Sequence, residues 1–363
     1  MNDCPKPEEL PCPLPPDLGP LMLLTTNPPK SPAPKSHPYA GTIAAGANQS
    51  DMVAAQAHAI EGLLTDIAPG VLVASGKGAR LKLPVIDWDP AVRMAVLALE
   101  VGSRLHFSGP ELNGQLCAEL SLHQPGDKPR PFVTIKAYED DQIKALANLT
   151  QQWARPAGWN RQDEFVAQQN ESLILQFSQV VGLQRGRHPF TYELLEAAEN
   201  LLVPVLMGFK QALAMRRPHE VLTPLPTALE VPANGALPGG HAAVAYLLAD
   251  LLTEILGEAR ANKTLMHRIA ARIAHNRVLA GLHHPADSIA GAMLGMAWAQ
   301  LLRGQSWHAW SFAPESLKLD TLTAADSESG RELGCITRHT NEQSAVDLPN
   351  WKELLAAAKK EWN

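Results

Sequence analysis

The chain has 363 residues, 45% of them hydrophobic, and a formal net charge of −6. That is enough apolar content to bury a sizeable core in one large or two smaller domains. The acidic balance argues against general nucleic-acid binding, which needs a basic footprint.

In chain order, residues 1–49 come first and hold twelve prolines by position 38, interleaved with Lys, Ser and Asn. Such a segment buries too little apolar surface to offset its ordering entropy and reads as a disordered Pro-rich arm. Leu21–Leu24 is too short for a signal core, and acidic residues and prolines precede it. Residues 50–139 read as a mixed, mainly helical region. A helix is expected from the capping pair Ser50-Asp51 and another from Ala91 to about Leu105. Val71–Val73 and Leu81–Val85 fit small strands or extended loops equally.

From 140 to 302 the pattern is helical throughout. Leu194, Leu195, Ala198, Leu201, Leu202 and Val205 follow helical spacing within Tyr192–Met215. Ala242–Gly257, Leu265–Ala280 and Pro285–Leu302 repeat the theme. Residues 303–363 read as a polar tail with one short helix over Leu354–Trp362. Nowhere is there an uninterrupted apolar run of about 18 residues, so no transmembrane segment is expected. The expectation is an all-α helical bundle, soluble and cytoplasmic. Its four scattered cysteines (Cys4, Cys12, Cys117, Cys335) form no CxxC pair and suit a reducing compartment. Trp298, Trp307 and Trp310 fit an interface or the core equally, and the oligomeric state is open.

Three separated pieces carry chemistry. Lys210 and Arg217 are seven residues apart, two helical turns, so both side chains leave one face before Pro218 stops the helix. A solvated basic face is the plainer explanation of that pair taken alone. Pro238-Gly239-Gly240-His241 opens an apolar-periodic helix, where small residues and unpaired N–H groups favour an anion; a loop turn with an incidental histidine is the alternative. In the third piece, Arg277 is followed by His283, by Pro285 at a helix start, and by Asp287 one turn on. A carboxylate on one imidazole nitrogen leaves the other free as nucleophile or ligand, whereas a capping cluster explains Asp287 and Ser288 without any ligand. His284 has only the capping explanation. Gly291 and Gly295 fit close helix packing.

Taken together, the pieces resemble the signature of the type 2 phosphatidic acid phosphatase and vanadium-dependent haloperoxidase superfamily: KxxxxxxRP, PSGH and SRxxxxxHxxxD. The resemblance runs from Lys210 to Asp287 and implies roles. Lys210, Arg217, Gly239, Gly240 and Arg277 would bind a tetrahedral oxyanion. His241, His283 and Asp287 would be catalytic. In a haloperoxidase, which oxidises halide with peroxide, His283 would ligate vanadate as cofactor. In a phosphatase of the acid phosphatase type, no cofactor is needed, and His283 would form a phosphohistidine from a small phosphate ester. The architecture leans to the haloperoxidase branch, with the phosphoric ester hydrolase as the alternative and a non-catalytic oxyanion-binding protein as a third reading. Gly239 and Asn276 depart from the two serines of the pattern, removing one hydroxyl and replacing the other by an amide.

Overall fold

A computed structural model describes residues 84–363, apart from 113, 125–126, 320 and 330–335. The expected Pro-rich arm, the helix from Ser50 and the segments around 71–83 lie outside the described residues. The helices are α1 Pro90–Gly102, α2 Asp140–Ala157, α3 Gln162–Asn170, α4 Ile174–Val181, α5 Pro189–Leu213, the single turn α6 Pro218–Val221, α7 Gly240–Leu256, the turn α8 Glu258–Ala261, α9 Lys263–Leu279, α10 Pro285–Leu302, α11 Ala324–Ser329 and α12 Pro349–Lys360. The strands are β1 Leu105–Ser108, β2 Glu111–Leu112, β3 Gln115–Leu122, β4 Arg130–Lys136, β5 Trp307–Phe312 and β6 Ile336–Gln343.

Helices α5, α7, α9 and α10 make the central core, and each has a readable start. Pro189 and Pro285 occupy first helical turns, where a missing N–H costs nothing. The Asn262 side chain caps α9 by accepting from the Leu265 N–H at 3.2 Å. The Glu361 carboxylate reaches from the end of α12 to the orphan N–H groups of Phe190 and Thr191, at 2.7 and 2.9 Å. Helices α7 and α10 approach unusually closely. A Cβ on Gly291 would overlap the Gly239 carbonyl oxygen, and one on Gly295 that of Ala243. The glycine pair expected to serve packing does so, and it brings the starts of α7 and α10 side by side.

The all-α expectation is overturned by a mixed sheet in the order β1-β3-β4-β5-β6, with β2 paired to β3. All its neighbours are antiparallel except β4 and β5, which run parallel. The fold is therefore mixed α/β, rich in helix. The strands escaped the sequence pattern for physical reasons. In β3, buried Cys117, Ala118, Leu120, Ser121 and Leu122 blur the period-two alternation that marks a strand with one wet face. In β6, ITRHTNEQ, the six central residues are all exposed, so no apolar stripe announces it.

Within the segment after 303, helix α12 is anchored. Trp351 is fully buried, its indole N–H donates to the Leu302 carbonyl at 2.5 Å, and the Glu100 carboxylate accepts from the backbone N–H groups of Asn350 and Trp351 at 2.9 Å. Trp298 and Trp307 belong to the core, with Trp310 half-buried against it. No helix among the described residues is long and apolar enough to cross a membrane.

Candidate active site

Lys210 lies in the last turn of α5 and is buried, with its ammonium donating to the carbonyls of Gly235 and Ala236 at 2.6 and 3.2 Å. Burial, aided by the Arg217 charge, pulls its pKa down to about 7, against a smaller opposing pull from Asp287. Arg217 stands at the start of α6. Its guanidinium donates to the Asn234 carbonyl and side-chain oxygens, both at 3.0 Å, and to the Leu282 carbonyl at 2.8 Å. Burial lowers its pKa, while Asp287 and Glu220 pull the other way. The basic pair is therefore interior, and the solvated-face explanation fails.

His283 Nδ1 is 3.2 Å from Asp287 Oδ2. A carboxylate only accepts, so Nδ1 carries the ring proton and Nε2 keeps its lone pair. That Nε2 faces the Arg217 guanidinium at 3.5 Å. Burial pushes the His283 pKa down to about 4, with the Asp287 hydrogen bond opposing, so the ring is neutral at neutral pH. Asp287 is fully buried and accepts from the Tyr138 hydroxyl at 2.6 Å and from the His284 backbone N–H at 2.8 Å. Burial alone would raise its pKa; the hydrogen bonds and the histidines outweigh it and bring it to about 2. His284 takes a structural place, with Nε2 on the Arg216 carbonyl at 3.2 Å and its ring edge-on to Tyr138.

His241, in the first turn of α7, sets Nε2 3.1 Å from the Gln168 carbonyl. A carbonyl accepts only, so Nδ1 is the basic nitrogen. Burial, then the charges of Arg277 and His283, hold its pKa near 3. Arg277, buried at the end of α9, donates from Nη2 to Gln169 Oε1 at 3.0 Å, but its buried Nη1 has no partner. Burial, with Arg217 adding, lowers its pKa to about 10.

One cavity of about 360 Å³ is lined by Lys210, Arg217, Gly240, His241 and His283, together with Gln168, Gln169, Glu199 and Asn234. Asp287 stands behind His283. Arg277 and Gly239 are the exceptions among the expected residues: Arg277 reaches the cavity only through the lining residue Gln169, to which it donates. The Gly239 N–H donates to the Asp287 carbonyl at 2.7 Å and is committed there. The N–H groups of Gly240 and His241, in the first helical turn, have no carbonyl one turn back within the helix. Asn276 also turns elsewhere, donating to Glu164 and Gln168 at 2.9 and 3.2 Å.

Residues 194–311, just under a third of the chain, match the model of the PAP2 superfamily. Over that segment the chain is similar to the members of that superfamily. No curated protein matches the chain. The PAP2 segment covers all three motif pieces and runs from α5 into β5, so the sheet is joined to it through the parallel β4–β5 pair.

Outside the PAP2 segment lie three site residues that sequence reasoning missed: Tyr138, Gln168 and Gln169. Tyr138 lies two residues past the end of β4, and nothing local marks it as a partner of a carboxylate 149 positions away. The two glutamines sit in α3, where amides are ordinary. Asn234 had a usable signal, since Asn-Gly punctuates the long segment between α6 and α7.

Proposed function

We propose that the chain hydrolyses a phosphoric monoester through a phosphohistidine on His283. The observation that carries this is a cluster of three buried cations that outnumbers the carboxylates acting on it, Asp287 and Glu220. Arg217 lowers the proton affinity of both Lys210 and Arg277, one buried Arg277 N–H has no acceptor, and the buried Asp287 carboxylate acts on Lys210 and Arg217 but not on Arg277. A phosphoryl group supplies the missing charge and oxygens.

In the first step, the Nε2 lone pair of His283 attacks phosphorus, and the bond from phosphorus to the ester oxygen breaks. The three cations stabilise the equatorial oxygens. Asp287, steadied by Tyr138, holds the Nδ1 proton as the ring becomes cationic. His241 is neutral in the absence of an anion. A bound phosphoryl dianion raises its pKa, so that it carries a proton to the leaving alkoxide. In the second step His241 takes a proton from water, whose oxygen attacks phosphorus and breaks the N–P bond, returning His283 to its neutral form.

Vanadate is tetrahedral and anionic, and the same residues suit it: Lys210, Arg217 and Arg277 for its oxygens and His283 Nε2 as ligand. Bound there, it would supply peroxide activation for halide oxidation. Two features favour the ester instead. The cavity extends well past the oxyanion pocket, and Met207, a thioether open to oxidation by hypohalite, lines it.

The test is an assay of the full chain with a generic aryl phosphate, beside one with vanadate, peroxide and bromide, each repeated with His283→Ala. Phosphate release that is inhibited by vanadate and lost in the variant supports the ester reading. Bromide oxidation that requires vanadate and is lost in the variant replaces it with the haloperoxidase reading. Silence in both, with inorganic phosphate still bound, would leave a non-catalytic oxyanion binder.

A further inference from the structure

The far end of the cavity contains a carboxyl group that the reaction above does not use. Glu199 lies on α5, seven residues before Leu206 and eleven before Lys210, so all three share one helix face. At 1.5 Å per residue, Glu199 and Lys210 are separated by about 16 Å of helix axis. The wall between them is apolar: Leu206, Val244 and Leu173. His241, which serves the leaving group, lies one helical turn before Val244, so the leaving alcohol would extend along this wall toward Glu199.

Glu199 Oε1 is buried with no hydrogen-bond partner. A carboxylate in that position is costly unless something pairs with it. Burial, then repulsion from Glu196, pushes its pKa up to about 7. The nearby cation is committed, since Arg185 pairs with Glu196 and lies over the Tyr192 ring. The cavity is thus cationic at the phosphoryl end, apolar in the middle and acidic at the other end.

We infer that Glu199 is a specificity-determining residue that receives an alkylammonium group on the alcohol portion of the phosphate ester. The inference rests on the phosphoester reading of the same cavity. A zwitterionic substrate, with phosphate and ammonium joined by an apolar chain, satisfies both ends. An ester with a neutral alcohol leaves Glu199 unpaired, and one with a second anion meets repulsion there.

The experiment is calorimetric titration of the full chain with non-hydrolysable alkylphosphonates of two to eight carbons, each with and without a terminal amine. One amine-bearing length should bind about tenfold or more tightly than its plain counterpart, as a charge-assisted hydrogen bond gives. Glu199→Gln should collapse that ratio toward one. Glu199→Lys should invert it in favour of a terminal carboxylate, which a merely structural role would not produce. Equal affinities at every length, or a preference that survives Glu199→Gln, overturns the inference. Plain alkylphosphonates that displace inorganic phosphate keep the oxyanion reading standing in that case. If no phosphonate binds and no aryl phosphate is hydrolysed, both readings fall together.

Discussion

In the proposed reaction, Lys210 is the residue whose protonation would decide whether the cavity accepts an anion. With a pKa near 7 it is cationic below that pH and neutral above it, while His283, near 4, must be neutral to attack. The expected kcat/KM profile is a bell with limbs near those two values. Lys210→Arg keeps the cation at every working pH, so the basic limb should move upward in the variant while the substrate's own ionisation stays the same. A basic limb that does not move would show that Lys210 does not control it. Tyr138 acts one step further back, through Asp287. Tyr138→Phe leaves a buried carboxylate short of one donor, which should cost about 1–3 kcal/mol in chemical denaturation and lower kcat more than it raises KM. Lys210, Arg217, His241, Arg277, His283 and Asp287 were legible because chemistry-bearing residue types recur at helix ends with fixed spacing. Tyr138 was not, because its partner is distant in sequence and the strand that delivers it has no outward pattern.

At the scale of elements, the site depends on how closely α7 and α10 pack. Gly295→Ala puts a methyl group against the Ala243 carbonyl, a backbone atom that cannot rotate away. Overpacking of this kind should destabilise the chain by about 1–3 kcal/mol and separate Gly240 and His241 from His283, so activity should fall more than at a surface alanine. Gly239→Ser, which restores the serine of the family pattern, meets a similar obstacle: a Cβ there lies 2.9 Å from the Asp287 carbonyl oxygen. The expected result is a lower melting temperature without a gain in rate, since the close approach that admits glycine also excludes the hydroxyl. The helices were legible because their apolar stripes are long and their starts carry Pro, Asn or Gly. The sheet was hidden for opposite reasons in two of its strands. Strand β3 is buried across most of its length and loses alternation, whereas β6 is exposed across most of its length and never shows it. Pattern reading depends on one wet face and one dry face, and neither strand has that.

For the whole molecule, burying the site's ionisable groups makes stability depend on pH in a definite direction. His283 and His241 have folded pKa values near 4 and 3, against 6.5 for an ordinary imidazole. As pH falls below 6.5 the unfolded chain takes up protons that the native state refuses, so their contribution is fully present above 6.5 and is lost toward 4. For His283 alone, a shift from 6.5 to about 4 corresponds to about 3 kcal/mol over that window. Asp287 extends the loss from 3.8 down to about 2, because its depressed folded pKa also leaves the unfolded state with more bound protons. A tetrahedral anion opposes this trend. It favours the charged forms of both histidines and of Lys210, raising their folded pKa values and stabilising the native state by mass action, about 2.7 kcal/mol at a hundred times its Kd. Glu199, with its folded pKa raised from 4.5 to about 7, works against the two histidines in that window, one group against two. Melting temperature should therefore fall from pH 7 to pH 4, and inorganic phosphate or vanadate should recover part of the loss. Phosphate binding at pH 8 should also take up protons, measured as a heat that varies with the ionisation enthalpy of the buffer. Arg277→Leu removes the donor left without an acceptor and should weaken that recovery. Anion-independent melting across this range would mean that the cations are satisfied within the protein, and the oxyanion site would have to be abandoned.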